Sequence, residues 1–390
     1  MTYPDDFTLP SEIMEQIAQQ GIDYLPELIQ TLVNTAMQIE RQKYLGAGRY
    51  ERSPERVGHA NGYKSKTLKT RLGALTFDVP QVREGGFYPS ALEKGLRSER
   101  ALTLTLAEMY VQGVSTRKVS AVVEQLCGSQ ISSTQVSQAA ALLDEKLEAW
   151  RNSTLGEIVY LYLDARYEKV RQDGQVRDVA VLVASGVDPD GHRKVLGVSI
   201  SMSEQEVHWR TFLESLVKRG LRGVKLIISD DHSGLKAARQ AVFGGLPWQR
   251  CQFHLQQNAQ AYVPRTELQA EVAGDIRTIF TAPDRVKAEE YLKEAIHKYE
   301  KTAIKLATWM ELNIPEGLTV FSFPASHRQR IRTTNSLERL NREIRRRTSV
   351  VSIFPNEKAA LRLISAVLLE ISDEWEGGKL YLNVGTGQPS

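Results

Sequence analysis

Two aspartates and one glutamate have the residue types and surroundings from which metal-assisted chemistry on a phosphodiester could be built: Asp164, Asp230 and Glu338. Asp164 ends the apolar run Ile158-Val159-Tyr160-Leu161-Tyr162-Leu163, and strand parity puts it on the face of Ile158, Tyr160 and Tyr162. An ionised carboxylate beside a buried strand is costly unless it is compensated, and a bound cation would compensate it. Asp230 repeats the pattern, sharing a face with Val224, Leu226 and Ile228 at the point where an apolar strand gives out. Functional groups of open α/β sheets gather at such carboxyl ends, so two strands ending in Asp can set their carboxylates side by side. Glu338 sits on a basic helix with Leu337, Leu340 and Ile344 as its packing stripe, and Glu338, Asn341, Arg342 and Arg345 project together. Three converging carboxylates could hold two divalent ions, one polarising the attacking oxygen and one the leaving oxygen. Ligands that are all oxygen point to Mg²⁺ or Mn²⁺ rather than zinc.

Each acid also has a plainer reading. Asp164 could begin a turn, although Arg166, Tyr167, Glu168 and Val170 continue as a strand. Asp231 competes with Asp230; parity selects Asp230, and one of the pair is expected to cap the following helix. Asn335-x-x-Glu338 also fits a capping box, and Glu338 with Arg342 fits an i,i+4 ion pair. Cys251 and His254 have the spacing of half a zinc site, but no second pair lies nearby, so a structural or active-site-adjacent role is expected. His232 either approaches the acids or a phosphate, or is a surface residue at a helix start.

The elements that must position these groups follow from periodicity. Ile13, Ile17, Leu25, Leu28, Ile29, Leu32, Val33 and Met37 recur at helical spacing, Gly46, Gly48, Pro54, Gly58 and Gly62 then argue for loops, and Thr67 to Val82 reads as a β-hairpin turning at Gly73. A break is expected at Gly85-Gly86. Residues 100–152 read as three short helices, capped at Ser115 or Thr116 and at Ser132 or Ser133, in the manner of a helix-turn-helix reader. The third opens with Thr134, Gln135, Ser137 and Gln138; a plain helical bundle is the alternative. From Glu157 onward the character is α/β, with strands at Ile158–Asp164, Asp178–Val187, Val195–Met202 and Val224–Asp230, and an all-α insertion at about 265–325. Three strands joined by tight turns, a crossover helix and a further strand is the element order of a ribonuclease-H-like sheet. Helices at 334–347 and Asn356–Trp375 follow, and the Gly-rich tail from Gly377 is expected to fray. The domains are thus expected at 1–99, 100–152 and 153–390.

The net charge of +3 conceals segregation: residues 1–40 hold seven acids and no Lys or Arg. Residues 41–71 then carry Arg41, Lys43, Arg49, Arg52, Arg56, Lys64, Lys66, Lys69 and Arg71 against two glutamates. A second block carries Arg328, Arg330, Arg332, Arg339, Arg342, Arg345, Arg346 and Arg347 against Glu338 and Glu343. Guanidinium forks suit phosphate, so both blocks read as polyanion-facing, with a solvated face as the alternative. Two cysteines exclude a disulfide scaffold, and no apolar stretch is long enough to span a bilayer. Neither is there a signal-peptide pattern at the start, so a cytoplasmic protein with no membrane partner is expected.

In order and spacing, Arg41-Gln42-Lys43-Tyr44-Leu45-Gly46-Ala47, Arg117-Lys118-Val119-Ser120, Leu163-Asp164-Ala165, Ile228-Ser229-Asp230, Trp248 to His254, and Asn335-Ser336-Leu337-Glu338-Arg339-Leu340-Asn341 resemble the Mutator-like family of bacterial insertion-sequence transposases. The resemblance extends along nearly the whole chain. It implies a ribonuclease-H-like catalytic core with a DDE triad at Asp164, Asp230 and Glu338, a helical insertion before the glutamate, and a Cys251/His254 signature. It also implies an N-terminal region that binds inverted-repeat DNA, with Arg117 and Lys118 joining the basic contacts, and a nucleoid-associated bacterial enzyme. Joining two ends leads us to expect a homodimer or larger assembly on DNA. A catalytically silent DNA-binding derivative and a nuclease acting on RNA–DNA hybrids are the rival readings.

Overall fold

The chain turns sharply between Thr70 and Gly73, where Gly73 adopts φ +102°, a conformation L side chains resist. The turn joins β1 (Ala60–Thr70) to β2 (Gly73–Val82) in antiparallel register, Lys64 facing Val79 and Lys66 facing Phe77. A computed structural model describes residues 11–384 apart from 49, 50, 84, 85, 93, 96, 97 and 129. The expected contact at Arg49, and part of the Gly85-Gly86 break, lie outside the described residues.

By contact, the chain divides into units of residues 1–142 and 143–390. In the first, β2 alternates from Ala74 to Val79, burying Leu75, Phe77 and Val79 against Met37 of the helix Leu25–Leu45. That helix ends at Gly46 in the left-handed conformation. β1 begins seven residues earlier than the hairpin pattern predicts, so Lys64 and Lys66 stand on a strand rather than in a loop. Its residues up to Ser65 are all exposed; its partner's alternation, not its own, sets the ladder. Helices Arg100–Val111, Thr116–Cys127 and Ser133–Ala141 form where the caps predict. The Ser115 hydroxyl accepts from Lys118 N, and Ser132 and Gln135 make a reciprocal capping box. Leu102, Leu106, Val119, Val123 and Val136 close their core.

The second unit is built on five strands: β3 (Tyr160–Gln172), β4 (Gln175–Val187), β5 (Arg193–Ser201), β6 (Leu226–Ser229) and β7 (Trp248–Arg250). Their order is β5-β4-β3-β6-β7. The first three are an antiparallel meander, whereas β6 and β7 run parallel to β3. Asp173-Gly174, both at positive φ, make the tight β3–β4 turn. Helices Glu206–Lys218 and Ser233–Val242 bury Trp209, Leu213 and Leu235 with Leu161, Leu163 and Ile227 of the sheet. Ile158 joins this core instead of the Tyr160/Tyr162 face expected for it, because it precedes the strand proper.

Across the opposite face lie Ala325–Ile331, the arginine-rich helix Asn335–Thr348, and the long helix Glu357–Glu376. The Tyr160 hydroxyl meets His327 Nδ1 at 2.7 Å, the Tyr162 hydroxyl donates to Arg330 O, and Val195 N donates to Ser372 Oγ. Helices Gln269–Phe280, Arg285–Tyr299 and Ile304–Asn313 form the expected α-only segment between β7 and the arginine helix. Asp144, opening the helix Asp144–Arg151, is gripped bidentately by Arg362 at 2.6 and 2.7 Å. The fraying expected from Gly377 does not extend through the described tail. Tyr381 N donates to Gly191 O at 3.0 Å, Leu382 is buried, and Arg193 stacks between Trp375 and Tyr381. Aromatic and apolar side chains within the Gly-rich sequence supply the anchoring that its glycines cannot.

Candidate active site

β3 and β6 pair in parallel with Tyr160 beside Leu226 and Tyr162 beside Ile228. Two residues further along each chain stand Asp164 and Asp230, at equal height and on the same face by parity. Asp164 is not at a strand tip as expected: β3 continues to Gln172 because β4 pairs with it throughout, Asp164 facing Val183. Asp230 does follow the last residue of its strand.

Both oxygens of Asp164 are engaged: Oδ1 accepts from Ala165 N at 3.0 Å and Oδ2 from Asn341 Nδ2 at 2.7 Å. Burial pushes its carboxyl up to about 6; the His254 charge and these hydrogen bonds oppose the rise, and Asp230 adds to it. Asn341 brings the arginine-rich helix onto β3, and its carbonyl accepts from Arg166, which pairs with Glu168 at 2.6 Å. Leu337, Leu340 and Ile344 are fully buried beneath the helix, as the stripe predicts. Helical spacing turns Glu338 to the side of Asn341.

The plainer readings of Glu338 do not form. Thr334 caps the helix with no side-chain bond to it, and among the described residues Glu338 makes no ion pair with Arg342. Glu338 Oε1 is buried without a hydrogen-bond partner, and stands 4.0 Å from His254 Nε2. On its other side His254 Nδ1 is 3.9 Å from Asp230 Oδ2. His254 therefore stands between the second and third acids. Burial alone would lower its pKa, but the Cys251 sulfur and the charges of Cys251, Asp230 and Asp164 outweigh this and raise it to about 9. The ring nitrogens face two carboxylates, which favour the protonated form.

Asp231 turns away from this group. It pairs with Arg250 at 3.0 Å and Lys236 at 3.5 Å, and the same Arg250 nitrogen reaches Glu316 and Asn313. Neither aspartate caps the helix Ser233–Val242, whose N-cap is His232. His232 faces Glu204 at 3.8 Å and is 44% exposed, so the structure does not bring it to the acids. Cys251 is fully buried and accepts from both Thr334 N and Thr334 Oγ1 at 3.4 Å. Thr334, Arg166 and the Arg250 network were missed in the sequence, where only long-range pairing could reveal them. Asn341 was legible as a neighbour of Glu338 through its spacing.

The basic residues separate by engagement. Arg339, Arg342, Arg345 and Arg346 line the exposed side of their helix, Arg346 pairing with Glu343. Arg330 stacks on Tyr381, and Arg332 is half-buried. Arg328 is committed to the carbonyls of Phe323, Pro283 and Phe321, and Arg347 is buried against Glu370. In the first unit Lys43, Arg52, Lys64, Arg117 and Lys118 are exposed. There Arg41 bonds Gly62 O and the Tyr63 hydroxyl, Lys66 the Tyr88 hydroxyl, Lys69 the Gln130 carbonyl, and Arg71 pairs with Glu99.

Among the described residues no three carboxylate, histidine or cysteine side chains close on one point as a ready-made metal cage. The donor set nonetheless suits a hard cation. Glu338 Oε1 and Asn341 Oδ1 are buried oxygens without partners, next to an Asp164 carboxylate that burial destabilises. Among the described residues, no helix is long and apolar enough to cross a membrane.

A model of the family described as "Transposase, Mutator family" matches residues 4–378. The chain is 59% identical to the transposase for insertion sequence element IS406 of Burkholderia multivorans, over 94% of this chain and 95% of that one. It is 43% identical to the transposase for ISRM5 of Rhizobium meliloti, over 96% and 94% of the two chains. Identity is 37% to the transposase for IS256 in transposon Tn4001 of Staphylococcus aureus, over 97% and 98%. On the family match and on identity carried along almost the full length, this chain belongs to the Mutator family of transposases.

Proposed function

We propose that the chain is the transposase of an insertion sequence, that its second unit is a ribonuclease-H-like catalytic core, and that Asp164, Asp230 and Glu338 are its metal-binding triad. The observation that carries the reading is the pairing of β3 with β6, which sets Asp164 and Asp230 level, together with the Asn341–Asp164 bond that docks the helix of Glu338 beside them. The strand order, a three-strand meander followed by two parallel strands, supports the ribonuclease-H-like reading. Asp230 is preferred over Asp231 because Arg250 and Lys236 already neutralise the latter.

Two Mg²⁺ or Mn²⁺ ions bound there would activate the attacking oxygen and stabilise the leaving one. The chain's own groups do the rest. Asn341 fixes the orientation of Asp164, and Glu338 closes the site from the helix side. The imidazolium of His254 offers a donor to oxygens of the scissile phosphate, and Arg342 and Arg345 hold flanking phosphates by charge. Water attack would leave a free 3′-hydroxyl at the element end, which then attacks a target phosphodiester, one P–O bond forming as another breaks. The exposed bases of the first unit and the polar opening of the helix Ser133–Ala141 would bind the inverted repeats, with two or more copies of the chain holding two ends.

The test is strand cleavage on inverted-repeat DNA in Mg²⁺, with end binding measured in parallel. Asp164→Ala, Asp230→Ala and Glu338→Ala are each expected to abolish cleavage and leave binding nearly intact. Cleavage retained by any of them removes that residue from the triad, and a wild-type chain that binds ends without cutting would favour the silent derivative.

A further inference from the structure

Cys251 stands where three parts of the site meet. Its backbone N–H donates to Ser229 O at 2.8 Å, next to Asp230, and one residue on Gln252 N donates to Arg332 O at 3.0 Å. Its sulfur accepts two bonds from Thr334, a residue 0% exposed, at the start of the helix that carries Glu338. Thr334 O in turn accepts from Glu338 N at 3.0 Å. One turn of helix beyond Cys251 lies His254, between Asp230 and Glu338. A short path of hydrogen bonds thus runs from the strand of the second acid, through one sulfur, to the backbone of the third.

We propose that Cys251 and Thr334 are positioning residues: the Cys251 sulfur, as a buried acceptor for the Thr334 N–H and hydroxyl, sets the separation of Glu338 from Asp230. The proposal rests on the carboxylate reading of the site. Two other uses of the cysteine fit less well. A reactive thiol needs access, and this side chain is fully buried. A zinc site needs two further ligands, and among the described residues no such cluster forms. What the position requires is an acceptor of small volume, because Thr334 would otherwise bury two unpaired donors in a region sealed from water. A helix start freed from that anchor can rotate or slide by a fraction of an ångström, enough to loosen a carboxylate on its first turn.

The test uses the full-length protein and reads Mn²⁺ binding directly, by the loss of the free-ion electron paramagnetic resonance signal, alongside cleavage against Mn²⁺ concentration. Cys251→Ala is expected to weaken Mn²⁺ binding about 10- to 100-fold, the size found when groups that orient metal ligands are removed. Cleavage should recover at raised Mn²⁺. Cys251→Ser, which keeps a small acceptor, is expected to restore most of the loss, and Thr334→Val to reproduce it while Thr334→Ser does not. Should Cys251→Ala fail to fold, the Thr334 pair carries the test alone. Wild-type Mn²⁺ binding in both Cys251→Ala and Thr334→Val would overturn the proposal, as would a Cys251→Ser variant as impaired as Cys251→Ala. Asp164→Ala serves as the control: if it too binds Mn²⁺ normally, the carboxylate site fails, whereas normal binding in the clamp variants alone removes only the clamp.

Discussion

Asp164→Asn is expected to make the metal-free protein more stable as well as inactive. The carboxyl is pushed from its usual 3.8 up to about 6, with burial as the main cause. At about 1.4 kcal/mol per tenfold change in proton affinity, holding Asp164 ionised above that pH costs the folded state about 3 kcal/mol. Asparagine keeps the shape and removes the charge. One of its two polar atoms becomes a donor, and Asn341 can answer by turning its unpartnered Oδ1 toward it. Allowing about 1 kcal/mol for an imperfect exchange of hydrogen bonds leaves a gain of about 2 kcal/mol. For a unit the size of residues 143–390 this corresponds to a rise in melting temperature of about 4 to 8 °C. Melting should be followed by circular dichroism in EDTA at pH 7.5 and again at pH 4. Because the folded-state pKa is raised, the penalty is absent below the unfolded value near 3.8 and grows as pH climbs through about 6, so the two proteins should converge at the lower pH. Added Mg²⁺ should narrow the gap at pH 7.5 by stabilising only the wild type. An asparagine variant that melts at or below the wild-type temperature at pH 7.5 would refute the claim that the site holds a carboxylate under electrostatic stress.

The remaining expectations concern the charges around the site. Arg342→Ala and Arg345→Ala should each weaken DNA binding without regard to sequence and flatten its salt dependence by a slope of about 1, measured by fluorescence anisotropy across salt concentrations. Arg328→Ala should leave that slope unchanged and instead lower the melting temperature, since its guanidinium serves three carbonyls. Arg250→Ala should destabilise the second unit by about 2 to 3 kcal/mol, read by urea unfolding, because it removes a buried guanidinium and leaves Asp231 and Glu316 with Lys236 alone between them.

The parts of the fold legible in the sequence were those whose pattern repeats within a few residues. The stripe Leu337, Leu340 and Ile344 gave the seating of the arginine-rich helix, and alternation along Tyr160, Tyr162 and Asp164 gave the face of the first acid. The Ser115 and Ser132 caps marked two helix starts because capping is satisfied locally. β7 was invisible: three residues are too few to show a period, and only the neighbouring β6 makes Trp248–Arg250 a strand. The length of β3 and the early start of β1 were likewise decided by partners, since each extends as far as the strand beside it offers hydrogen bonds.

At the site itself, local rules lost wherever a buried long-range partner competed with them, and magnitudes explain the outcome. A side-chain cap is worth about 1 kcal/mol, so Asp231 before a helix start reads as a cap. Arg250 is only 4% exposed, and leaving its guanidinium unpaired would cost about 3 to 5 kcal/mol. Asp231 and Glu316 are therefore drawn to Arg250, the cap is forgone, and Asp230 is left facing Asp164 and His254. Thr334 behaves in the same way. Its backbone N–H, which a capping box would give to the Glu338 carboxylate, donates instead to the buried Cys251 sulfur, as does its hydroxyl. The helix thus starts with its side-chain cap unmade and Glu338 free of a capping box. In both places a local interaction gives way to a buried long-range one: Arg250 draws off Asp231 and the Cys251 sulfur takes the Thr334 N–H, so neither Asp230 nor Glu338 is spent on capping a helix.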